Sequence, residues 1–324
     1  MNKLRIVYFG TPEFAASQLE AIIAAGYDVA AVVTMPDKPA GRGKKIQFSD
    51  VKKTALEHNL PLLQPEKLKS PEFLEALTSF NANLFIVVAF RMLPAVVWQM
   101  PKYGTFNLHA SLLPQYRGAA PINYAIINGE TETGLTTFFL NEEIDKGAVI
   151  MRETVAIRPD ENAGELHDEL MHLGNKVVVE TIRRIESGSV PTQTQEELAA
   201  GVTLHDAPKI FKEFCYIDCS KKLVDIYNHI RGLSPYPAAH ALLGSNSGES
   251  LEMKVYASEI EQVQPTESPG TILTDNKKFL KVAVSDGYLH LTIVQQAGKK
   301  SMSIEDFLRG QHFEGSWKML KHEI

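Results

Sequence analysis

The feature that most constrains this chain is a regular alternation in its first 150 residues. Apolar, β-branched runs at 4–9, 29–34 and 84–89 are separated by stretches with helical spacing at 13–25, 51–58 and 71–80. A short run with no polar alternation predicts a strand buried on both faces, and such strands alternating with helices predict a parallel sheet covered on each side. Gly10, Thr11 and Pro12 break the first strand, and Gly26 stops the first helix. Shorter strands are expected at 60–63, 105–108 and 136–140, and a long amphipathic helix at 164–187. The expected fold is therefore α/β, with a doubly wound, mostly parallel, Rossmann-like sheet.

After residue 188 the pattern changes. The stretch GSVPTQTQEELAAGVTLHDAPK is polar, carries Pro and Gly and lacks periodicity, so it reads as a linker. One helix follows at 220–232, then β-rich runs at 251–257, 270–274, 279–284 and 288–295. Short strands separated by turn residues predict a small β-barrel resembling an OB-fold. The expected organisation is a catalytic domain at 1–189, a linker at 190–207 and a barrel domain at 208–324. A length of 324 residues suits two domains, and 44% hydrophobic residues suffice for a core in each.

Charge and cysteine usage exclude several classes. A net charge of −6 argues against an indiscriminate polyanion binder. A local basic patch survives at 36–58, where Lys38, Arg42, Lys44, Lys45, Lys52 and Lys53 face only Asp37, Asp50 and Glu57. Cys215 and Cys219 are too few for a disulfide framework, and their spacing has no second ligand pair for zinc. No apolar stretch approaches the ~18 residues of a membrane span, and the N-terminus runs straight into a strand. The expectation is a cytoplasmic protein with two reduced thiols and no metal.

Chemistry concentrates at 107–118, NLHASLLPQYRG, and at Asp145 in EEIDKG. On a strand, Asn107 and His109 share one face because side chains alternate with period 2. An amide beside an imidazole suits acyl transfer: Asn107 would donate to a developing oxyanion and His109 would handle a proton. Asp145 would orient the imidazole. An Asn-x-His pair by itself is more often structural than catalytic. His167 and His172 fall at i, i+5, a poor spacing for a metal pair, and read as surface or satisfied histidines.

The setting of the pair is more specific. Asn107 and His109, the following Ser111–Gly118 segment and Asp145 at 36 residues beyond the histidine resemble the 10-formyl-tetrahydrofolate-dependent formyltransferase family. The resemblance implies 10-formyl-tetrahydrofolate as cosubstrate, Asn107, His109 and Asp145 as catalytic residues, and a folate pocket lined by Phe90, Met92, Leu93, Ser111, Leu112, Leu113 and Pro114. Two features are similar to the branch acting on initiator methionyl-tRNA. One is the loop MPDKPAGRGKK at 35–45, which implies Arg42, Lys44 and Lys45 as tRNA contacts. The other is the C-terminal half, with PKI at 208–210, SPYP at 234–237 and QQAGKKSMSIEDFLRG at 295–310. The chain departs from the family pattern at Phe90-Arg91-Met92-Leu93-Pro94, where a Tyr-Gly pair is common, and at Cys219, where a Trp is common. Formylation of a sugar nucleotide, hydrolysis of formyl-folate and a non-catalytic folate sensor are the rival expectations. The basic loop and the intact Asn107, His109 and Asp145 argue against them.

Overall fold

The computed structural model describes residues 3–40, 45–188 and 190–322. Its first sheet is built from β1 (Arg5–Gly10), β2 (Asp28–Val33), β3 (Leu62–Leu63), β4 (Leu84–Val88), β5 (Thr105–His109), β6 (Glu132–Phe139) and β7 (Val149–Ala156), in the spatial order β7-β6-β5-β4-β1-β2-β3. The strands from β3 to β5 are mutually parallel, and β6 runs antiparallel to β5. The chain steps outward from β1 to β3, then returns to the other side of β1 for β4 and β5. That reversal places a crevice between the carboxyl ends of β1 and β4, where open α/β sheets bind ligands.

Local signals account for the helices beside the sheet: α1 (Glu13–Ala24), α2 (Asp50–Glu57) and α3 (Pro71–Ser79). Ser49 caps α2 and Ser70 caps α3, each accepting a backbone N–H with its hydroxyl, and Pro71 opens α3. Gly10 is obligatory at the β1–α1 turn, because a Cβ there would lie 2.7 Å from the Ala15 Cβ. The two sheet faces are distinct. Tyr8 reaches α1 and donates to the Ala15 carbonyl at 2.6 Å. Val7, Phe9, Phe85 and Val87 pack instead with Phe73, Leu77, Leu93 and Val97.

The second sheet follows β8 (Ala239–Ser245), β9 (Ser250–Glu261), β10 (Ile272–Thr274), β11 (Leu280–Val284), β12 (Gly287–Gln296) and β13 (Trp317–Met319), ordered β10-β11-β12-β9-β8-β13. The printed pairings are antiparallel. A bridge between Thr271 and Lys318 brings its two ends together, so the sheet is a nearly closed barrel. Its interior is filled by Leu243, Val255, Val282, Leu289, Leu291 and Val294, with the helix Leu223–Leu233 covering one opening through Leu223, Ile226 and Ile230. Sequence patterning located four of these strands. It passed over the short β13 and over β8, whose Ala-rich run after Pro235 and Pro237 has weak β propensity.

The described chain divides into two compact units. One spans Met1–Gly118, Gly134–Val155 and Asp168–Asp206, and the other Ala119–Thr133, Ala156–His167 and Ala207–Ile324. This differs from the single cut expected near 190–207. The polar segment drawn there as a linker belongs to the first unit, and it contains a short helix, Gln195–Leu198, closed by a Thr194–Glu197 capping box. No described helix is long and apolar enough to cross a membrane. The cysteines are free, and burial pushes the Cys219 thiol up to about 12, with Asp218 adding to the shift.

His229 shapes the pH response of the barrel unit. It is buried, packs against Phe214 at 5.2 Å, and neither ring nitrogen has a hydrogen-bond partner of normal geometry. Burial, with the Lys221 charge adding, pushes its pKa down to about 4, and an approach to the Cys215 backbone offsets this only in part. The unfolded chain therefore binds this proton below pH ~6.5 while the folded chain does not. The stability it allows is complete above pH ~6.5 and is lost as pH falls toward the folded value, by about 2 kcal/mol at pH 5. Urea unfolding at pH 7 and pH 5 tests this. His229→Leu should shrink the loss by about that amount, and an unchanged loss would assign the acid sensitivity to other groups.

Candidate active site

Asn107 and His109 occupy β5, beside the crevice. The register pairs Phe9 with Val87 and Val87 with Asn107, so Asn107 and His109 project from the face that carries Phe9 and Val87. His109 is 7% exposed. Its Nε2 lies 3.0 Å from the Tyr116 carbonyl oxygen. A carbonyl can only accept, so Nε2 carries the hydrogen, and in the neutral ring Nδ1 keeps its lone pair. Tyr116 is itself fixed in a left-handed conformation, φ 58°. Its N–H donates to the His205 carbonyl at 2.7 Å, and its ring stacks on His205 at 6.0 Å.

The loop after β5 is stapled to the sheet by one hydroxyl. Thr136 Oγ1 donates to the Ser111 carbonyl at 2.6 Å and accepts from the Leu113 N–H at 3.0 Å. The Ser111 hydroxyl turns inward to the Gln115 carbonyl at 2.6 Å. Ser111, Leu113 and Pro114 are buried, and Leu93 belongs to the core beside Phe9. Phe90 is half-buried with its ring 5.8 Å from Phe9, Leu112 is half-buried, and Met92 is 74% exposed. The sequence-derived folate set thus splits in two. Ser111, Leu113, Pro114 and Leu93 are buried, whereas Phe90, Met92 and Leu112 keep accessible surface. Thr136→Val would leave a buried N–H and carbonyl without their partner and should cost about 1–3 kcal/mol. Thermal or urea unfolding reads this directly, and a change within error would mean the loop has another anchor.

Asp145 lies on the loop between β6 and β7 and is left-handed, φ 54°. Its Oδ2 accepts the Gly118 N–H at 3.2 Å. Among the described residues no hydrogen bond or ion pair joins Asp145 to His109, in contrast to the direct contact expected from the sequence. The reason is local. The Nε2 hydrogen is satisfied by Tyr116, and the Asp145 carboxylate is drawn to Gly118 two residues further on. The two side chains therefore grip the same short loop from two sides. Gly147 is required in this turn, because a Cβ there would lie 1.6 Å from the Phe139 carbonyl oxygen.

Sequence reasoning missed Gln195, which is fully buried. Its Oε1 accepts from Arg117 Nε at 3.0 Å and from a terminal guanidinium nitrogen of Arg117 at 2.7 Å. Its Nε2 donates to the carbonyls of Asp145 at 2.8 Å and Gly147 at 3.0 Å. The only signal was the Thr-x-x-Glu capping box at Thr194 and Glu197, which marks a helix start inside an apparent linker.

Three buried polar atoms without a hydrogen-bond partner among the described residues mark the crevice: Thr11 Oγ1 after β1, Arg91 Nε after β4 and Asn107 Oδ1 on β5. Buried polar groups are almost always paired, and these three lie toward the carboxyl ends of adjacent strands, where open α/β sheets bind ligands; Gln18 Oε1 and Ser258 Oγ are similarly unpaired elsewhere. The altered 90–94 segment is ordered by Arg91, which donates to the carbonyls of Pro65 and Glu66. Arg42 and Lys44 lie outside the described residues. For Lys45 only the backbone is described, at the start of the strand Lys45–Gln47 that pairs with Lys38–Ala40. No group of three or more His, Cys, Asp or Glu side chains among the described residues is arranged to hold a metal ion.

Comparison with known proteins identifies the family. Residues 3–182 match the family described as formyl transferase, and residues 209–312 match the formyl transferase C-terminal domain. A curated Bacteroides fragilis protein named methionyl-tRNA formyltransferase is 55% identical over 98% of each chain. A Flavobacterium johnsoniae protein of the same name is 51% identical, covering 98% of this chain and all of its own. Among solved structures, the sugar 3N-formyl transferase WlaRD, crystallised with dTDP and 5-N-formyl-THF, superposes with a TM-score of 0.65 at 18% identity over 93% of this chain and all of that one, a likeness of fold. With both of its halves matched and its relatives aligned along nearly their full length, this chain belongs to the formyl transferase family.

Proposed function

We propose that this protein transfers the formyl group of 10-formyl-tetrahydrofolate to the amino group of methionine on initiator methionyl-tRNA, for translation initiation in the cytoplasm. The observation that carries the reading is the Asn107 and His109 pair at the carboxyl end of β5, with an unpartnered buried amide oxygen beside an open crevice. The family implies folate as the formyl donor, and Phe90, Met92 and Leu112 offer the half-buried and exposed apolar surface that suits a pterin ring. The methionyl-tRNA reading rests on the full-length likeness to proteins of that name and on the basic 35–45 loop.

The free methionine amine attacks the formyl carbon, forming the new C–N bond and a tetrahedral oxyanion. Asn107 donates an amide N–H to that oxygen, and the amide gives up no existing bond at Oδ1 in turning toward it. His109 Nδ1, left as acceptor by the Nε2–Tyr116 bond, takes the proton from the attacking nitrogen. Collapse breaks the bond between the formyl carbon and the folate nitrogen, and the proton returns to that nitrogen. Asp145 stabilises the charged imidazole through space, across the loop that both residues hold. The unit that carries Asn107, His109 and Asp145 performs the chemistry, and the unit built on the barrel supports the tRNA. No metal is needed, because a formyl carbon on a tertiary amide-like nitrogen is already electrophilic.

Incubation with 10-formyl-tetrahydrofolate and charged initiator tRNA should yield formyl-methionine. Asn107→Ala should lower turnover by about 10²–10³, and His109→Ala by a similar factor, each with an unchanged circular dichroism spectrum. Near-normal turnover in either variant would overturn the assignment of the pair. Arg42→Ala should reduce kcat/KM for charged tRNA by an amount corresponding to about 1–3 kcal/mol, with formyl-folate affinity preserved. Loss of folate affinity with intact tRNA kinetics would place the loop at the folate pocket and favour a smaller amine as acceptor.

A further inference from the structure

Gln195 joins the loop carrying Asp145 to the 116–118 turn, beside the direct bond from Gly118 to the Asp145 carboxylate, and nothing in the resemblance assigns it a role. It is fully buried, in a segment with no strand or long helix to explain its burial. Both ends of its side-chain amide bond to the two loops. The guanidinium of Arg117, the residue between Tyr116 and Gly118, donates two hydrogen bonds to its amide oxygen. Both hydrogens of its amide nitrogen are taken by the carbonyls on either side of Lys146, those of Asp145 and Gly147. An amide is the side chain that meets this demand, since it presents an acceptor to a cation and two donors to carbonyls.

The consequence for Asp145 follows from its backbone. A non-glycine residue at φ 54° persists only where its surroundings over-determine it. Gln195 supplies that constraint by holding the carbonyl of Asp145 itself, while Arg117 ties the same amide to the turn whose Gly118 N–H holds the carboxylate. His109 is anchored one residue earlier on that turn, through the Tyr116 carbonyl.

We propose that Gln195 is a positioning residue for formyl transfer, which fixes Asp145 relative to His109 by clamping the Asp145–Gly147 backbone to the 116–118 turn. The inference rests on the role proposed above for Asp145. Gln195 touches no reacting atom, so its effect must pass through Asp145.

Gln195→Glu is the direct test. The carboxylate still accepts from Arg117 but can no longer donate to the two carbonyls, and it places like partial charges against them. Single-turnover formation of formyl-methionine should slow by about 10–100-fold, in line with the loss seen when a supporting partner of a catalytic group is removed, while KM for formyl-folate holds. The decisive readout is non-additivity, because residues that act as a unit do not add. In an Asp145→Ala background, Gln195→Glu should cause no further slowing. Slowing of the same factor in both backgrounds would show that Gln195 acts on something else, and full activity in the single variant would overturn the inference outright. If Gln195→Glu does not fold, Arg117→Met runs in the same cycle, with a smaller loss expected and the same non-additivity. The underlying functional reading fails separately, if Asp145→Ala alone is fully active or the unaltered protein yields no formyl-methionine.

Discussion

The hydrogen bond from His109 Nε2 to the Tyr116 carbonyl is the constraint on which the rest of the site depends. It decides which ring nitrogen keeps its lone pair, and it ties the end of β5 to the turn seven residues on. That turn can hold the histidine only because it is held in turn. Thr136 staples its start, His205 takes the Tyr116 N–H, and Arg117 binds Gln195. A side chain that must meet a reacting atom to within a fraction of an ångström needs such support, since a rotamer left to itself spreads over wells far wider than the chemistry tolerates.

The placement of the site follows from sheet topology. Reversal of strand order beside β1 opens the crevice between β1 and β4, and β5 stands next to β4. Thr11, Arg91 and Asn107 each leave a buried polar atom unpaired at this edge, whereas the interiors of β2 and β4 are apolar. Leaving such groups unmet costs stability, of order 1–3 kcal/mol apiece, and a folded chain tolerates that cost where a ligand relieves it. Their grouping at the ends of adjacent strands is consistent with the ligand position that the sheet topology favours.

Much of the architecture was legible in the sequence, because it is written in period and in turn chemistry. The apolar runs at β1, β2 and β4, the helix stop at Gly26 and the Ser caps of α2 and α3 are local signals that tertiary packing had no reason to override. The misses share a cause. The strand β8 pairs with β13 far along the chain as well as with its neighbour β9, and the burial of Gln195 depends on Arg117, Asp145 and Gly147, so local pattern records neither. The folate set illustrates the same limit. Ser111 and Leu112 are adjacent and equally plausible as ligands in the sequence, yet the hydroxyl of one faces inward to Gln115 while the other keeps open surface.

What the sequence by itself determined is the α/β and barrel character of the two halves and the nomination of Asn107 and His109 as the reactive pair proposed here. Both are local: one follows from hydrophobic period, the other from Asn107 and His109 sharing a strand face. Only the tertiary structure decided how Asp145 takes part. Its carboxylate goes to Gly118 and not to His109, because the turn at 116–118 reaches it first. Only the tertiary structure, likewise, made Gln195 part of the site, 50 residues from Asp145 and 78 from Arg117 along the chain. Hydrogen bonds between loops that far apart depend on where the sheet delivers each loop, and no periodicity in the residues themselves records that delivery.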